Sequence, residues 1–337
     1  MDIFVAVENL RLLQVRIDVR LNDQRVDRSL VEKLYVMDGR RYKCLSFEEL
    51  KQRYCELIRN MAYLLDDVRD LAPKHCNFVS SWWWIDRYIE FHAEFKQRAC
   101  QPPPLPPEAG EWGESSPLIK PKHANATDFI VRYGEMPHLT EMLEIGKVRI
   151  ATASIYNDGG LDNARRDNEL KKSRYSDGAK VSITLPDGST VKPIGAVEYA
   201  KTASDYYTLC TSLEHDPRLR RDFPNKEGKW ADACLIVRDL AAFAARLEGA
   251  VARILPGWQF WDLPIEYYDA LQRDQNQVFS AQFSKELRFA YQREYRFIWT
   301  KPPNVSLKPF FVEIGALNDI ATLVTSEGEF VAGHPLP

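Results

Sequence analysis

Near the C-terminus, the run Gln292-Arg293-Glu294-Tyr295-Arg296-Phe297 places one carboxylate where strand geometry can hold it. Period-two alternation sets Glu294, Arg296 and Ile298 on one face and Tyr295, Phe297 and Trp299 on the other. A carboxylate that opens a strand with an aromatic reverse face is held rigidly. Two other places combine a strand end with polar groups: Arg132-Tyr133-Gly134, and Cys210-Thr211-Ser212-Leu213-Glu214. Between them lies a polar loop from Tyr156 and Asn157 to Asn168, whose Gly159 and Gly160 suit a lid or substrate loop. Its Arg165 and Arg166, with Lys171 and Lys172 nearby, make a local basic patch of the kind that meets a nucleic-acid backbone.

Each of these features also has a plain structural reading. Glu294 with Arg293 or Arg296 can be an ion pair, and Asn157-Asp158-Gly159-Gly160 is a good turn sequence in any protein. Thr211 and Ser212 can be strand-end hydroxyls, and Tyr133 a core aromatic. A different chemistry would gather Asp158, Asp162, Asp167 and Glu294 around Mg²⁺ as the oxygen ligands of a metal-dependent nuclease. Three of those carboxylates sit on one loop, which argues mildly against it. The six histidines show no metal-ligand spacing, and the six cysteines include no pair at two-residue spacing, so they read as reduced structural thiols. No glycine-rich phosphate loop of either common type is present, which disfavours nucleotide hydrolases and Rossmann dehydrogenases.

The elements that must position these residues divide the chain. At 337 residues, two domains are expected, since single cores stop growing at around 250 residues. The 45% hydrophobic and 28% charged composition is that of a globular protein, and the net charge of −3 provides no global field toward nucleic acid. With no long apolar run and no basic, cleavable start, a cytoplasmic protein is expected. Residues 1–100 read as a helical, non-catalytic module. Its opening stretch, Phe4 to Val19, mixes strand-like and helix-like spacing. Ser46 and Glu49 form a capping box ahead of an amphipathic helix through Leu50, Tyr54, Leu57, Ile58, Met61 and Leu65. Trp82-Trp83-Trp84 leads into Tyr88, Phe91 and Phe95 at helical steps, which suits packing between helices or a partner-docking surface. Residues 101–116, with five prolines, read as a semi-rigid linker.

From 117 to 337 the pattern is strand-heavy α+β. Strands are expected at Asp128–Tyr133, Lys147–Ala151, Tyr206–Ser212, Cys234–Arg238, Glu294–Thr300 and Pro309–Ile314. A hairpin is expected about Pro186-Asp187-Gly188. Helices are expected around Leu139–Leu143, stopped by Gly146, and at Asp239–Leu247 and Ile265 to about Gln277.

The order of an aromatic-Gly pair (Tyr133-Gly134), a Thr-Ser pair (Thr211-Ser212) and a late single Glu (Glu294) resembles the ADP-ribosyltransferase fold. The segment Asp128–Ile314 is also similar to a widespread, poorly characterised bacterial family, through Val131-Arg132-Tyr133, Ile155-Tyr156-Asn157-Asp158 and Gln292-Arg293-Glu294-Tyr295-Arg296. It departs from that family's pattern where Pro is absent after Asp158 and Gln292 replaces a Glu, and from the better-known transferases where Tyr133 stands in place of His. The resemblance extends to toxins of bacterial phage defence of the DarT and CmdT kind, which modify nucleic-acid bases with ADP-ribose from NAD and are accompanied by antitoxin or chaperone partners. It implies Glu294 and Tyr133 as catalytic, and Arg132, Gly134, Tyr156, Asn157, Thr211 and Ser212 around NAD. Arg165 and Arg166 would face the nucleic-acid acceptor, and the front module could dock the partner. A non-enzymatic interaction protein, binding through Trp82–Trp84, is the remaining reading.

Overall fold

The computed structural model describes residues 28–37, 39–64, 81–104, 129–157, 167–223, 230–271, 280–301 and 306–335. The opening stretch, the linker beyond residue 104, the loop 158–166 with Arg165 and Arg166, and Cys76 lie outside the described residues. The fold is α+β: helices come first and a strand-rich region follows.

The front helices are α1 (Arg28–Met37), α2 (Phe47–Leu64) and α3 (Ser81–Gln97). The capping box forms as the sequence requires: Ser46 N–H donates to Glu49 Oε2 at 2.7 Å and Glu49 N–H to Ser46 Oγ at 3.3 Å. Trp84, Tyr88, Phe91 and Phe95 fall on one buried stripe of α3 and pack with Leu50, Tyr54, Leu57, Ile58 and Met61 of α2. Trp84 is therefore core, and Trp83 packs half-buried against the same cluster. That cluster does not end with the helices. Ile265, Tyr267, Leu271, Leu287, Phe289 and Ala290 belong to it, so the front module and the strand-rich region share one apolar contact.

The strand-rich region begins with β1 (Ile130–Gly134), α4 (Met136–Ile145) and β2 (Lys147–Thr152), followed by a 3₁₀ turn at Ala153–Asn157. Gly146 closes α4 at φ 68°, its N–H donating to Glu141 O. A Cβ there would lie 2.1 Å from Gly315 O, so only glycine fits. Next come β3 (Lys171–Asp177), β4 (Ile183–Thr184), β5 (Thr190–Val191), β6 (Ala196–Thr202), β7 (Tyr207–Ser212) and β8 (Ala233–Val237). The expected hairpin is β4–β5, and β3–β6 extends the same excursion as a seven-pair ribbon that the sequence pattern did not reveal. After α5 (Leu240–Ile254) come β9 (Gln259–Pro264), β10 (Glu266–Tyr268), β11 (Ser284–Glu286), β12 (Glu294–Thr300), β13 (Phe310–Glu313), β14 (Ala321–Thr325) and β15 (Phe330–Gly333).

The expected helix from Ile265 is overturned. Its described part is the short strand β10, and residues 272–279 lie outside the description. Pairing decides the matter: β9 joins β12 over six positions, and Ile265 N–H donates to Glu294 O.

A nine-stranded sheet runs β13-β2-β7-β1-β8-β14-β15, with β12 bridging β7 and β9. Its first face buries Leu209, Leu235, Tyr295, Phe297 and Trp299 with residues of α4 and α5. The second face carries the alternate residues, and these include the polar ones.

Candidate functional site

β12 pairs six consecutive residues of β7, which leaves β7 one free edge. Two strands divide that edge: β2 pairs at Tyr207 and Thr208, and β1 at Ser212. Between the two contacts, the Cys210 carbonyl accepts a hydrogen bond from Arg132 Nη1 at 2.8 Å. The register across the three strands is Val131, Ser212, Glu294. The three separated segments singled out in the sequence thus meet at one level of one sheet.

Glu294 is 4% exposed. Arg296 Nε donates to its Oε1 at 2.5 Å, Lys285 Nζ to its Oε2 at 2.9 Å, and Arg296 Nη2 to Oε2 at 3.3 Å. The Cys210 thiol lies within electrostatic reach of this carboxylate, on the same face of the sheet, and its Sγ is 3.6 Å from Thr208 Oγ1. Burial opposes ionisation of Glu294, but Arg296 and Lys285 outweigh it and hold the carboxyl far below the usual carboxylate range. Burial, and then the Glu294 charge, pushes the Cys210 thiol up to about 12, so it stays protonated. Arg296 extends the network to Glu169, which also accepts from Lys172 at 3.2 Å, and Lys172 bonds Asp167 at 2.5 Å. Three carboxylates and three cations therefore balance in a buried chain, as buried charges must. The Tyr206 hydroxyl, buried on the same side of β7 as Cys210, has no hydrogen-bond partner among the described residues.

The structure treats the other expected residues unequally. Ser212 faces Glu294 directly across the β7–β12 pair. Thr211 lies on the opposite face, where its Oγ1 donates to Tyr295 O at 3.1 Å. Tyr156 lies within electrostatic reach of Cys210, Arg132 and Glu294, burial raising its phenol well above the usual range. Asn157 is exposed. Tyr133 Oη is engaged by the main chain of Asp216, donating to its O at 3.0 Å and accepting from its N–H at 2.8 Å, and its ring stacks on Phe223. Gly134 has room for a methyl group, since a Cβ would meet only Leu139 at 3.5 Å.

The basic patch needs correction at one member. Strand alternation turns Lys171 outward, onto Glu198 at 2.8 Å, and Lys172 inward at 2% exposure, so Lys172 does not face a nucleic acid. The ion partner of Glu294 is Arg296, whereas Arg293 pairs with Glu214. For the metal-ion reading, Asp158 and Asp162 lie outside the described residues, while Asp167 and Glu294 already carry lysine and arginine partners. Among the described residues no set of three His, Cys, Asp or Glu is arranged to hold a metal.

Glu169, Lys285 and Tyr206 escaped sequence reasoning. Glu169 meets Arg296 across 127 positions, so no local spacing could reveal it. Lys285 sits in a short strand with no periodic signal. The cysteines at 44, 55, 100, 210 and 234 are free thiols. No helix among the described residues is long and apolar enough to cross a membrane. No family model, curated protein or solved structure matches the chain.

Proposed function

We propose that the chain is an NAD-consuming ADP-ribosyltransferase in which Glu294 is the working carboxylate. The observation that carries this reading is the Val131–Ser212–Glu294 register, which brings the three ordered motifs to one level of the sheet. Cleaving the bond between nicotinamide and ribose sends its electron pair to the nicotinamide nitrogen and leaves positive charge on the ribose. A fixed anion beside the anomeric carbon stabilises that transition state. Glu294 suits the role because its neighbours keep it ionised and rigid.

A carboxylate offers about four acceptor positions, and Arg296 Nε, Arg296 Nη2 and Lys285 occupy three of them. A ribose hydroxyl would take the fourth, beside the Cys210 thiol. Ser212 pairs with Glu294 across the strands, Tyr156 lies within electrostatic reach of it, and Arg132 anchors the strand edge at Cys210. The nucleic-acid acceptor, the phage-defence role and an antitoxin or chaperone partner come from the family resemblance, and Asn157 is exposed to an incoming substrate.

The test is to incubate purified protein with labelled NAD and RNA, single-stranded DNA or cell lysate, comparing wild type with Glu294→Ala. Label transfer that depends on Glu294 supports the reading and names the acceptor. No NAD turnover with any acceptor sinks it.

A further inference from the structure

We propose that the front module is part of the site, with Asn60 of α2 positioning Lys285 and Gln292 against Glu294. The proposal rests on reading Glu294 as the working carboxylate. Asn60 is 1% exposed, and its side-chain amide holds main chain 228 and 231 residues away. Nδ2 donates to Arg288 O at 3.0 Å, and Oδ1 accepts from Tyr291 N–H at 2.8 Å. The same Nδ2 donates to Glu56 O at 2.9 Å, which fixes the Asn60 rotamer on its own helix.

The segment so held is the 3₁₀ turn Leu287–Gln292, and both of its ends belong to the site. Lys285 lies just before it and bonds Gln292 Oε1 at 3.0 Å as well as Glu294. Arg293, at φ 45°, then turns the chain so that Glu294 opens β12. The arc from 285 to 294 is thus closed at its ends by Lys285, Gln292 and Glu294, and gripped in the middle by Asn60. Neighbouring contacts reinforce the grip: Arg53 pairs with Glu286, Glu56 with Arg288 at 3.8 Å, and the Tyr63 and Tyr291 rings lie 5.0 Å apart. Beneath them, Leu287, Phe289 and Ala290 share the apolar cluster of α2 and α3. Lifting the front module off this arc would release Lys285 from Glu294, so docking of the module sets the charge arrangement of the site.

The test uses full-length protein and reductive methylation of lysines with formaldehyde and a borane, read residue by residue by mass spectrometry. Lys172 is the internal reference, since it is as buried as Lys285 and meets the same Glu169, but belongs to β3 and not to the 285–294 arc. Asn60→Leu keeps the volume and removes both hydrogen bonds to the arc, and the Lys285 rate is expected to rise about tenfold or more with Lys172 unchanged. Asn60→Asp, which keeps the acceptor for Tyr291 N–H, is expected to fall between that variant and wild type. An equal rise at both lysines would mean general loosening and would overturn the proposal, as would no rise at Lys285 in either variant. The labelling does not involve NAD, so failure of the transferase reading would appear separately, as absent turnover in wild type.

Discussion

Arg296 meets Glu169 through two parallel hydrogen bonds, Nη1 to Oε2 at 2.8 Å and Nη2 to Oε1 at 2.7 Å, while its Nε serves Glu294. One guanidinium with no exposed surface therefore ties the start of β12 to the segment that follows the 158–166 loop. The planar fork suits this task because it presents donors on two edges at fixed angles, which an ammonium group cannot do.

Replacing Arg296 with Met should destabilise the protein by about 3–5 kcal/mol, because Glu169 and Glu294 would remain buried with one cation fewer. Arg296→Lys should lose much of the same stability, since the charge returns without the fork. Urea unfolding at neutral pH measures both. A Lys variant as stable as wild type would show that charge alone suffices.

Acid should unfold the protein in two stages. His92 and His215 are pushed down to about 4, in both cases chiefly by burial, so the native state keeps them neutral where the unfolded chain binds protons. Depressed folded values mean that stability is present above the unfolded value near 6.5 and is lost as pH falls toward 4, by at most about 3 kcal/mol per histidine. Glu294 and Asp167 follow the same sign at lower pH. Burial opposes their ionisation, but neighbouring cations outweigh it, so their contribution is full above the ordinary carboxylate values and disappears below them. Unfolding free energies measured from pH 7 to 3 should therefore decline before Glu294 and Asp167 titrate, and His215→Gln should flatten that first decline.

Tyr133→Phe separates two roles for one ring. The hydroxyl bridges the N–H and C=O of Asp216, so its loss should cost about 1–2 kcal/mol in urea unfolding. If its work is to hold the turn after β7, the variant keeps its Glu294-dependent NAD turnover. A variant of unchanged stability with turnover abolished would instead return Tyr133 to the cofactor.

Gly134→Ala is the complementary case. No positive φ demands glycine at this position, and the added methyl meets Leu139 at ordinary contact distance, so stability should stay within about 0.5 kcal/mol of wild type. A raised KM for NAD at unchanged stability would show that the substrate approaches the backbone there. An unchanged KM removes Gly134 from the binding site.

The local patterns were legible in the sequence and the long-range ones were not. The Ser46–Glu49 box, the Trp84–Phe95 stripe, the Asp187-Gly188 turn and the alternation of β12 depend on neighbours within a few positions, and each formed as read. The sequence order of Tyr133, Ser212 and Glu294 suggested convergence, and strand pairing supplied the level for Ser212 and Glu294. Ile265 to Leu271 misled because its aromatic spacing fits a helix, whereas the backbone partners that make this region extended lie on β12 and β11. Glu169 and Lys285 were invisible for a related reason: each is an ordinary charged residue until a distant strand delivers Arg296 or Glu294 beside it.

Cys210 offers the sharpest probe of how substrate reaches Glu294. Its thiol lies on the carboxylate's face of the sheet, and burial keeps it protonated at neutral pH. Serine at this position presents a stronger, shorter-reaching donor to the same acceptor and should compete better with a ribose hydroxyl. Cys210→Ser is therefore expected to raise the KM for NAD, whereas Cys210→Ala removes the competitor and should leave KM equal or lower. Because both variants alter the same half-buried side chain, any general loosening moves them together, and only entry of substrate beside residue 210 separates their KM values in this order. Equal KM values for the two, measured as NAD consumption with the acceptor held in excess, would mean that substrate does not approach Glu294 at Cys210.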